Sequence, residues 1–338
     1  MGAIAMNGRA ANRCAALAAK GLVTGASTDA QASDALAKLR AYGWNADPDP
    51  AKQDMMHNAH YGLGNQAILS MMYPNAYGRF SLTDNLCNMS LAQTSATGDI
   101  VPVTAATKAQ SFAGGNGTAN GVPASVVINN SVGGAKNWAF AVSPSSGTQD
   151  LALDAGLCAR SLVIGKDAVT GADLTTTSTP TLAQSQAVRT GVSEVLLGGN
   201  LRGKPTLIVQ GRHDALVPVN HNSRAYVSFN RSVEGSGSQV SYVEVANAQH
   251  FDTFVSLAGW DTRFVPLHPY FVSAMNAMYA KLTAGTALPP SQVVRGVPRG
   301  GTPGAAPAIT ATNVPPIATA PAAANAISFT NTTLNVPN

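Results

Sequence analysis

Charge is what this sequence lacks most. Asp, Glu, Lys and Arg together make up only 11% of its 338 residues, and aromatics only 6%. The 21 basic and 17 acidic residues are spread thinly. No basic run could follow a phosphate backbone, which argues against nucleic acid as a partner. No stretch approaches the roughly 18 apolar residues of a membrane span, so no membrane partner is expected. The opening residues, Met1 to Arg9, lack the basic leader and long apolar region of a signal peptide. Met6 also stands where myristoylation of Gly2 requires Ser or Thr. The three cysteines, Cys14, Cys87 and Cys158, are isolated, without the C-x-x-C spacing of a zinc or redox site. They read as small buried residues; the alternative is that two pair in an exported protein and the third is left over for a partner outside the chain. No motif implies a metal or a cofactor.

What is present is enough for a sizeable core. Hydrophobic residues are 45% of the chain, and the length suits one large domain or two ordinary ones. Low charge with abundant Gly, Ala, Ser, Thr and Asn fits exported bacterial proteins, secreted or periplasmic. Residues 9 to 20 read as a helix closed by Lys20-Gly21. A second helix begins at Thr28 as cap, with Gln31 reaching back and Ala32, Ala35, Leu36 and Leu39 at i, i+3, i+4 and i+7, and ends at Gly43. The two form a helical hairpin. From Asp54 to Leu91 mixed helix and loop is expected. Residues 94 to 200 are looser, with turns at Gly114 to Gly117 and Thr175 to Thr181 and one β segment at Ala124 to Asn129.

From Leu201 the texture changes. Lys204-Pro205 introduces the apolar run Thr206 to Gly211, as a buried parallel strand would. A polar helix from Asn220 to Arg231, a strand from Val240 to Val245 and a final helix follow. That helix carries Phe271, Val272, Met275, Met278, Tyr279 and Leu282 on one face. This alternation closes an open α/β sheet. Residues 285–338 turn to Pro, Ala, Gly and Thr, a composition that builds no core of its own, and read as an extended tail. Within it only Ile327 to Val336 suggests an edge strand.

In such a sheet, catalytic groups gather beyond the carboxyl ends of the strands. Gly211-Arg212-His213-Asp214 leaves the first strand there, and Ala246 to Asp252, with His250, leaves the second. A carboxylate beside a histidine holds the imidazole in one tautomer and stabilises the imidazolium formed during attack. The order acid, then histidine, is that of α/β-hydrolases. Asp214 as orienting acid and His250 as general base are therefore the candidate catalytic residues.

The other histidines signal less. His57 and His60 could share a helix face, but no third ligand with metal spacing follows, so packing is the expectation. His213 and His221 flank the acid loop and either line the site or are solvated, with solvation favoured. His268 starts the final helix. Gly114 to Gly121 follows no strand, which argues against a phosphate loop. A nucleophile elbow, G-x-S-x-G between strand and helix, is absent. The nearest substitute is Ser131, in Asn129-Asn130-Ser131-Val132-Gly133-Gly134, after the β segment and in the right order ahead of acid and base. Three readings stay open: a serine esterase whose nucleophile lies outside this chain, a self-contained small carboxylesterase using Ser131, and a non-catalytic ligand-binding module.

The segments GRHDALVPVNH (211–221), NAQHFD (247–252), DTRFVPLH (261–268), ALPPSQVV (287–294) and PRGGTPG (298–304) resemble those of the D-3-hydroxybutyrate oligomer hydrolases. Weaker likeness runs upstream through NRCAALAAKGLVTGA, DALAKL and NNSVGG. The resemblance implies the C-terminal part of an α/β-hydrolase fold with a largely helical cap insertion. It places the cap at 1–195, the last two strand-helix units of the core at 196–284 and the tail at 285–338. It implies a serine esterase of hydroxybutyrate-dimer hydrolase type, with 3-hydroxybutyrate oligomers as small-molecule substrate. It carries over Asp214 as acid and His250 as base. The family's serine sits in a Ser-Asn-Gly-Gly motif that this sequence does not contain. The resemblance therefore implies that the N-terminal half of the same enzyme is the missing partner, and that this chain alone is nearly inactive.

Overall fold

A computed structural model of the chain describes residues 9–44, 52, 55–56, 65–81, 84–94, 100–101, 105–106, 126–129, 136–137, 143, 145–148 and 153–338. Two compact units divide it, one of Ala3–Ala37 with Tyr61–Leu196, the other chiefly of Lys38–His60 with Leu197–Asn338. The expected boundary at 195 falls beside this division. The segment Lys38–His60, expected within the cap, instead belongs to the C-terminal unit.

The first unit opens with α1 (Arg9–Ala19) and α2 (Thr28–Ala41). Helix α1 stops as its sequence anticipates. Gly21 takes φ +69°, and Leu22 N–H and Gly21 N–H donate to the carbonyls of Leu17 and Ala18, which satisfies two orphan acceptors. The cap of α2 lies one residue earlier than expected. Ser27 Oγ accepts from Ala30 N–H at 3.2 Å, while Gln31 Nε2 donates back to Gly25 O at 3.1 Å.

Helices α3 (Asn65–Gly78), α4 (Leu153–Ile164) and α5 (Leu182–Glu194) pack together around Leu86, Leu162 and Val188. Helix α5 starts directly after the stretch read as a turn, with Thr181 as its cap. Thr181 Oγ1 accepts from Gln184 N–H, and Gln184 Oε1 accepts from Thr181 N–H, a reciprocal capping box. Strands β1 (Met89–Thr94), β2 (Ile100–Val101), β3 (Val126–Asn129) and β4 (Lys136–Asn137) form an antiparallel sheet in the order β2-β1-β3-β4. The unit thus carries more β structure than the sequence announced.

Cys87 and Cys158 form a disulfide across 71 residues, while Cys14 is a free thiol. This corrects the expectation of three small buried residues. Closing a loop of that length removes unfolded-chain entropy worth about 4 kcal/mol. Helices α3 and α5 meet at Gly191, where an added Cβ would lie 1.9 Å from the Tyr77 carbonyl oxygen. Gly191→Ala should therefore lower the stability of this unit by about 1–3 kcal/mol. Urea denaturation checks this, and an unchanged midpoint would contradict so close a helix contact.

The second unit is built on β5 (Thr206–Gly211), α6 (Ser223–Glu234), β6 (Val240–Val245), α7 (His268–Ala284) and β7 (Gln292–Val294). The three strands are parallel in the order β5-β6-β7, with Thr206 opposite Val240 and Val243 opposite Gln292. All six residues of β6 are buried. Val240 and Tyr242 face Val227 of α6, while Val243 and Val245 face Tyr270 of α7. Burial of β6 is thus two-sided, as expected of the central strand of a parallel sheet.

The reading of 285–338 as a tail is corrected. Gln292–Val294 is a buried strand of the parallel sheet, Val314 and Ile317 join the core on one face of it, and Ile327, Leu334 and Val336 join the core on the other. A Pro-rich stretch that builds no core of its own can still complete one that stands ready. The expected edge strand at Ile327 to Val336 is instead a hairpin of its own, β8 (Ser328–Thr330) with β9 (Thr333–Asn335). In helix α7 the apolar stripe read from the sequence is not the buried face. The helix buries Tyr270 and Ala274, and leaves Phe271, Val272, Met275, Tyr279 and Leu282 exposed. At helical spacing that apolar stripe lies on another side of the helix from Tyr270 and Ala274.

Candidate active site

Gly211 ends β5 against the loop that leaves β6. A Cβ there would lie 2.6 Å from the Ala248 carbonyl oxygen and 2.8 Å from Gln249 N, so only glycine admits this approach. Backbone bonds then stitch the two strand ends. Arg212 N–H donates to Val245 O at 2.9 Å and His213 N–H to Ala248 O at 3.0 Å. In return Asn247 N–H donates to His213 Nδ1 at 3.2 Å.

Asp214 and His250 meet at this junction, Oδ2 to Nδ1 at 2.8 Å. The other carboxylate oxygen of Asp214 accepts the N–H groups of Leu216 at 2.9 Å and Val217 at 2.8 Å. Three bonds thus fix a carboxylate side chain that is only 6% exposed, while the imidazole is 32% exposed. The Phe251 ring stands edge-on to His250, centroids 4.5 Å apart. Buried Gln249 braces the backbone after His250, its Oε1 accepting from Phe251 N–H at 2.8 Å and its Nε2 donating to Phe251 O. Asp252 caps α7, accepting from Leu267 and His268 N–H, both at 2.7 Å.

The acid loop is backed by Met56, which packs with Ala215, Val255, Trp260 and Phe264. Lys52 Nζ also donates to Asn247 Oδ1, and Asn220 Nδ2 to Gly43 O at 3.0 Å. Gly43, Lys52 and Met56 therefore help to support this loop.

The remaining candidates fall as follows. His213 is corrected from solvated to buried, 1% exposed, with its ring edge-on to Phe264. His221 is exposed and stacks on Tyr42 with centroids 4.8 Å apart. His268 opens α7 as expected. Ser131, His57, His60 and the turn at Gly114 to Gly121 lie outside the described residues. The strand ahead of Ser131, β3, pairs antiparallel with both β1 and β4. An elbow serine instead follows a strand that feeds a helix. Among the described residues, no three His, Cys, Asp or Glu side chains converge as metal ligands.

Glu244 was missed. It is fully buried, and its carboxylate accepts from Arg224 Nη2 at 2.6 Å, Arg224 Nε at 2.8 Å and Tyr242 OH at 2.7 Å, and from Arg212 Nε. Arg212 Nη2 reaches on to Pro337 O at 2.7 Å. Burial pushes the Glu244 pKa up, but the two guanidinium groups outweigh it and hold the carboxyl below its ordinary value. Burial and the same carboxylate push the Tyr242 phenol well above its own. The sequence signal was a lone charged residue inside a strand, two positions from Tyr242 and so on the same face.

This cluster ties β5, β6, α6 and the chain end beneath Asp214. Glu244→Gln leaves two buried guanidinium groups uncompensated and should cost about 3–5 kcal/mol. With its folded pKa lowered, Glu244 contributes stability that is present above its ordinary 4.5 and lost as pH falls through the folded value. Denaturation at a series of pH values checks both points. A variant as stable as the parent, or with the parent's loss of stability below that pH, would contradict them.

A family model described as 3HB-oligomer hydrolase matches residues 1–338. The D-(-)-3-hydroxybutyrate oligomer hydrolase of Paracidovorax citrulli is 45% identical over 333 residues, 97% of this chain and 44% of the relative. The proteins of the same name from Cupriavidus necator and Burkholderia ambifaria are 44% and 46% identical over 97% and 96% of this chain, and 43% and 42% of their own length. The chain spans less than half the length of these curated relatives. No solved structure matches it. The resemblance carried by 211–221, 247–252 and the downstream segments is borne out.

Proposed function

The chain belongs to the 3HB-oligomer hydrolase family, and on that premise we propose that it carries the acid and general base of a serine esterase that hydrolyses 3-hydroxybutyrate dimers and oligomers to monomer. The observation that carries this reading is the 2.8 Å bond between Asp214 and His250, on a carboxylate already held by two backbone N–H groups. The parallel strands β5 and β6, with the acid after one and the histidine after the next, support an α/β-hydrolase fold. The Cys87–Cys158 disulfide supports an exported protein, secreted or periplasmic.

In the proposed mechanism Asp214 accepts the Nδ1–H of His250, which makes Nε2 the basic ring atom. Nε2 takes the proton of the serine hydroxyl as its oxygen attacks the ester carbonyl. The imidazolium then returns that proton to the departing 3-hydroxyl oxygen, leaving an acyl-enzyme. Water, deprotonated by the same nitrogen, hydrolyses the acyl-enzyme and restores the serine. The nucleophile and the donors that stabilise the oxyanion come from polypeptide beyond this chain. The antiparallel setting of β3 weighs against Ser131 in that role.

A fluorophosphonate probe should leave this chain unlabelled, and labelling that disappears in Ser131→Ala would overturn the assignment of the nucleophile. Joined behind the part of the Paracidovorax citrulli relative that it does not cover, the chain should hydrolyse 3-hydroxybutyrate dimer. In that lengthened protein, His250→Ala should lower kcat by roughly 10²–10⁴-fold with little change in KM. Hydrolysis undiminished in His250→Ala would sink the reading.

A further inference from the structure

The two edges of the parallel sheet differ. Beyond β7 the tail closes the sheet: Ala326 bridges Gln292, Ile327 N–H donates to Ser291 O, and the Gln292 side chain bonds both backbone groups of Ala318. Beyond β5, no strand pairs among the described residues. Thr206 N–H and Arg212 N–H point inward, to Gln239 O and Val245 O. Alternation then turns the N–H and C=O groups of Leu207 and Val209 to the outer edge. Leu207, Ile208 and Val209 are only half-buried there, whereas every residue of β6 is buried.

An edge meant for water carries Lys, Pro or a bulge; Thr206-Leu207-Ile208-Val209-Gln210 carries no Lys or Pro. Helix α7 packs on this same strand and turns its apolar stripe outward, with Tyr279 and Leu282 each 71% exposed. An exposed apolar helix stripe of this kind marks an interface.

We propose that the outer edge of β5 and the stripe of α7 form one docking surface. Its occupant is the part of the polypeptide that the longer relatives possess and this chain lacks, which adds a parallel strand beside Leu207 and Val209 and covers Phe271, Met275, Tyr279 and Leu282. More than half of each relative's length lies outside the match, enough to extend a sheet and cover a helix. A second copy of this chain fits less well. A two-fold axis through β5 would pair its edge antiparallel, in a sheet that is otherwise parallel. From the proposed function this inference takes only that more polypeptide belongs with the chain; it needs no particular chemistry.

The test is co-expression of the tagged 338-residue chain with the uncovered part of the Paracidovorax citrulli relative. The expected result is a one-to-one complex. Met275→Lys with Tyr279→Lys changes only exposed side chains, and should weaken the complex by about tenfold or more, as loss of apolar anchors does. Val209→Pro removes an outward N–H and should act in the same direction. As a second measurement, hydrogen exchange on the two parts joined in one polypeptide should show peptide 206–211 exchanging about tenfold more slowly than in the chain alone. Absence of that protection, a complex indifferent to both variants, or a dimer of this chain that the lysine pair disrupts would each overturn the proposal. A complex that forms through this surface yet hydrolyses no 3-hydroxybutyrate dimer leaves the docking surface standing and removes the esterase. Hydrolysis that survives both variants does the reverse.

Discussion

The approach of Gly211 to Ala248 and Gln249 is the constraint on which the C-terminal unit depends. Parallel strands place their carboxyl ends side by side, but ordinary side chains keep the departing loops apart. With no Cβ at Gly211, the turn after β5 lies directly on the loop after β6, and backbone bonds from Arg212, His213 and Asn247 lock the two together. The Asp214–His250 bond follows from that contact rather than producing it. A single side-chain hydrogen bond contributes only about 1 kcal/mol by itself. The geometry of this one is held because the backbone on both sides already is.

Beneath this junction sits the Glu244 cluster, a second device with a different physical basis. A carboxylate removed from water is costly, and this one persists because two guanidinium groups and a phenol satisfy its oxygens. Arg212 belongs both to this cluster and to the acid loop, and through it the Pro337 carbonyl joins the chain end to the same point. The late segment is thus mechanically part of the unit, although by composition it resembles a linker. The other unit is held differently, by a disulfide and by a helix trio in which α3 and α5 approach closely at Gly191.

Much of the C-terminal unit was legible. Strands β5 and β6 occupy the residues expected of them, Thr206–Gly211 and Val240–Val245, because short runs rich in β-branched and aromatic residues between turn signals mark a strand locally. The ends of α1 and α2 were legible through Gly21 and Gly43, since a left-handed residue after a helix is a local requirement. That Asp214 and His250 each follow a parallel strand was legible, whereas their meeting required the close approach at Gly211. The role of α7's apolar face was not legible. Periodicity shows that one side of a helix is apolar, and is silent on what covers it. Three-residue β7 gives no periodic signal at all, and the environment of Glu244 exists only after β5, β6 and α6 have come together.

The sequence by itself determined the order strand, Asp214, helix, strand, His250, and the family to which the chain belongs. Those features reside in local patterns and in identities read along the chain. Only the tertiary structure decided that Gly211 presses on Ala248, that Cys87 pairs with Cys158, that Gln292–Val294 completes the sheet, and that, among the described residues, no strand pairs with the outer edge of β5 while the stripe of α7 is exposed. Each is a contact, or a missing contact, between residues far apart in sequence. No local propensity encodes it, because its free energy arises only when the rest of the chain has folded around it.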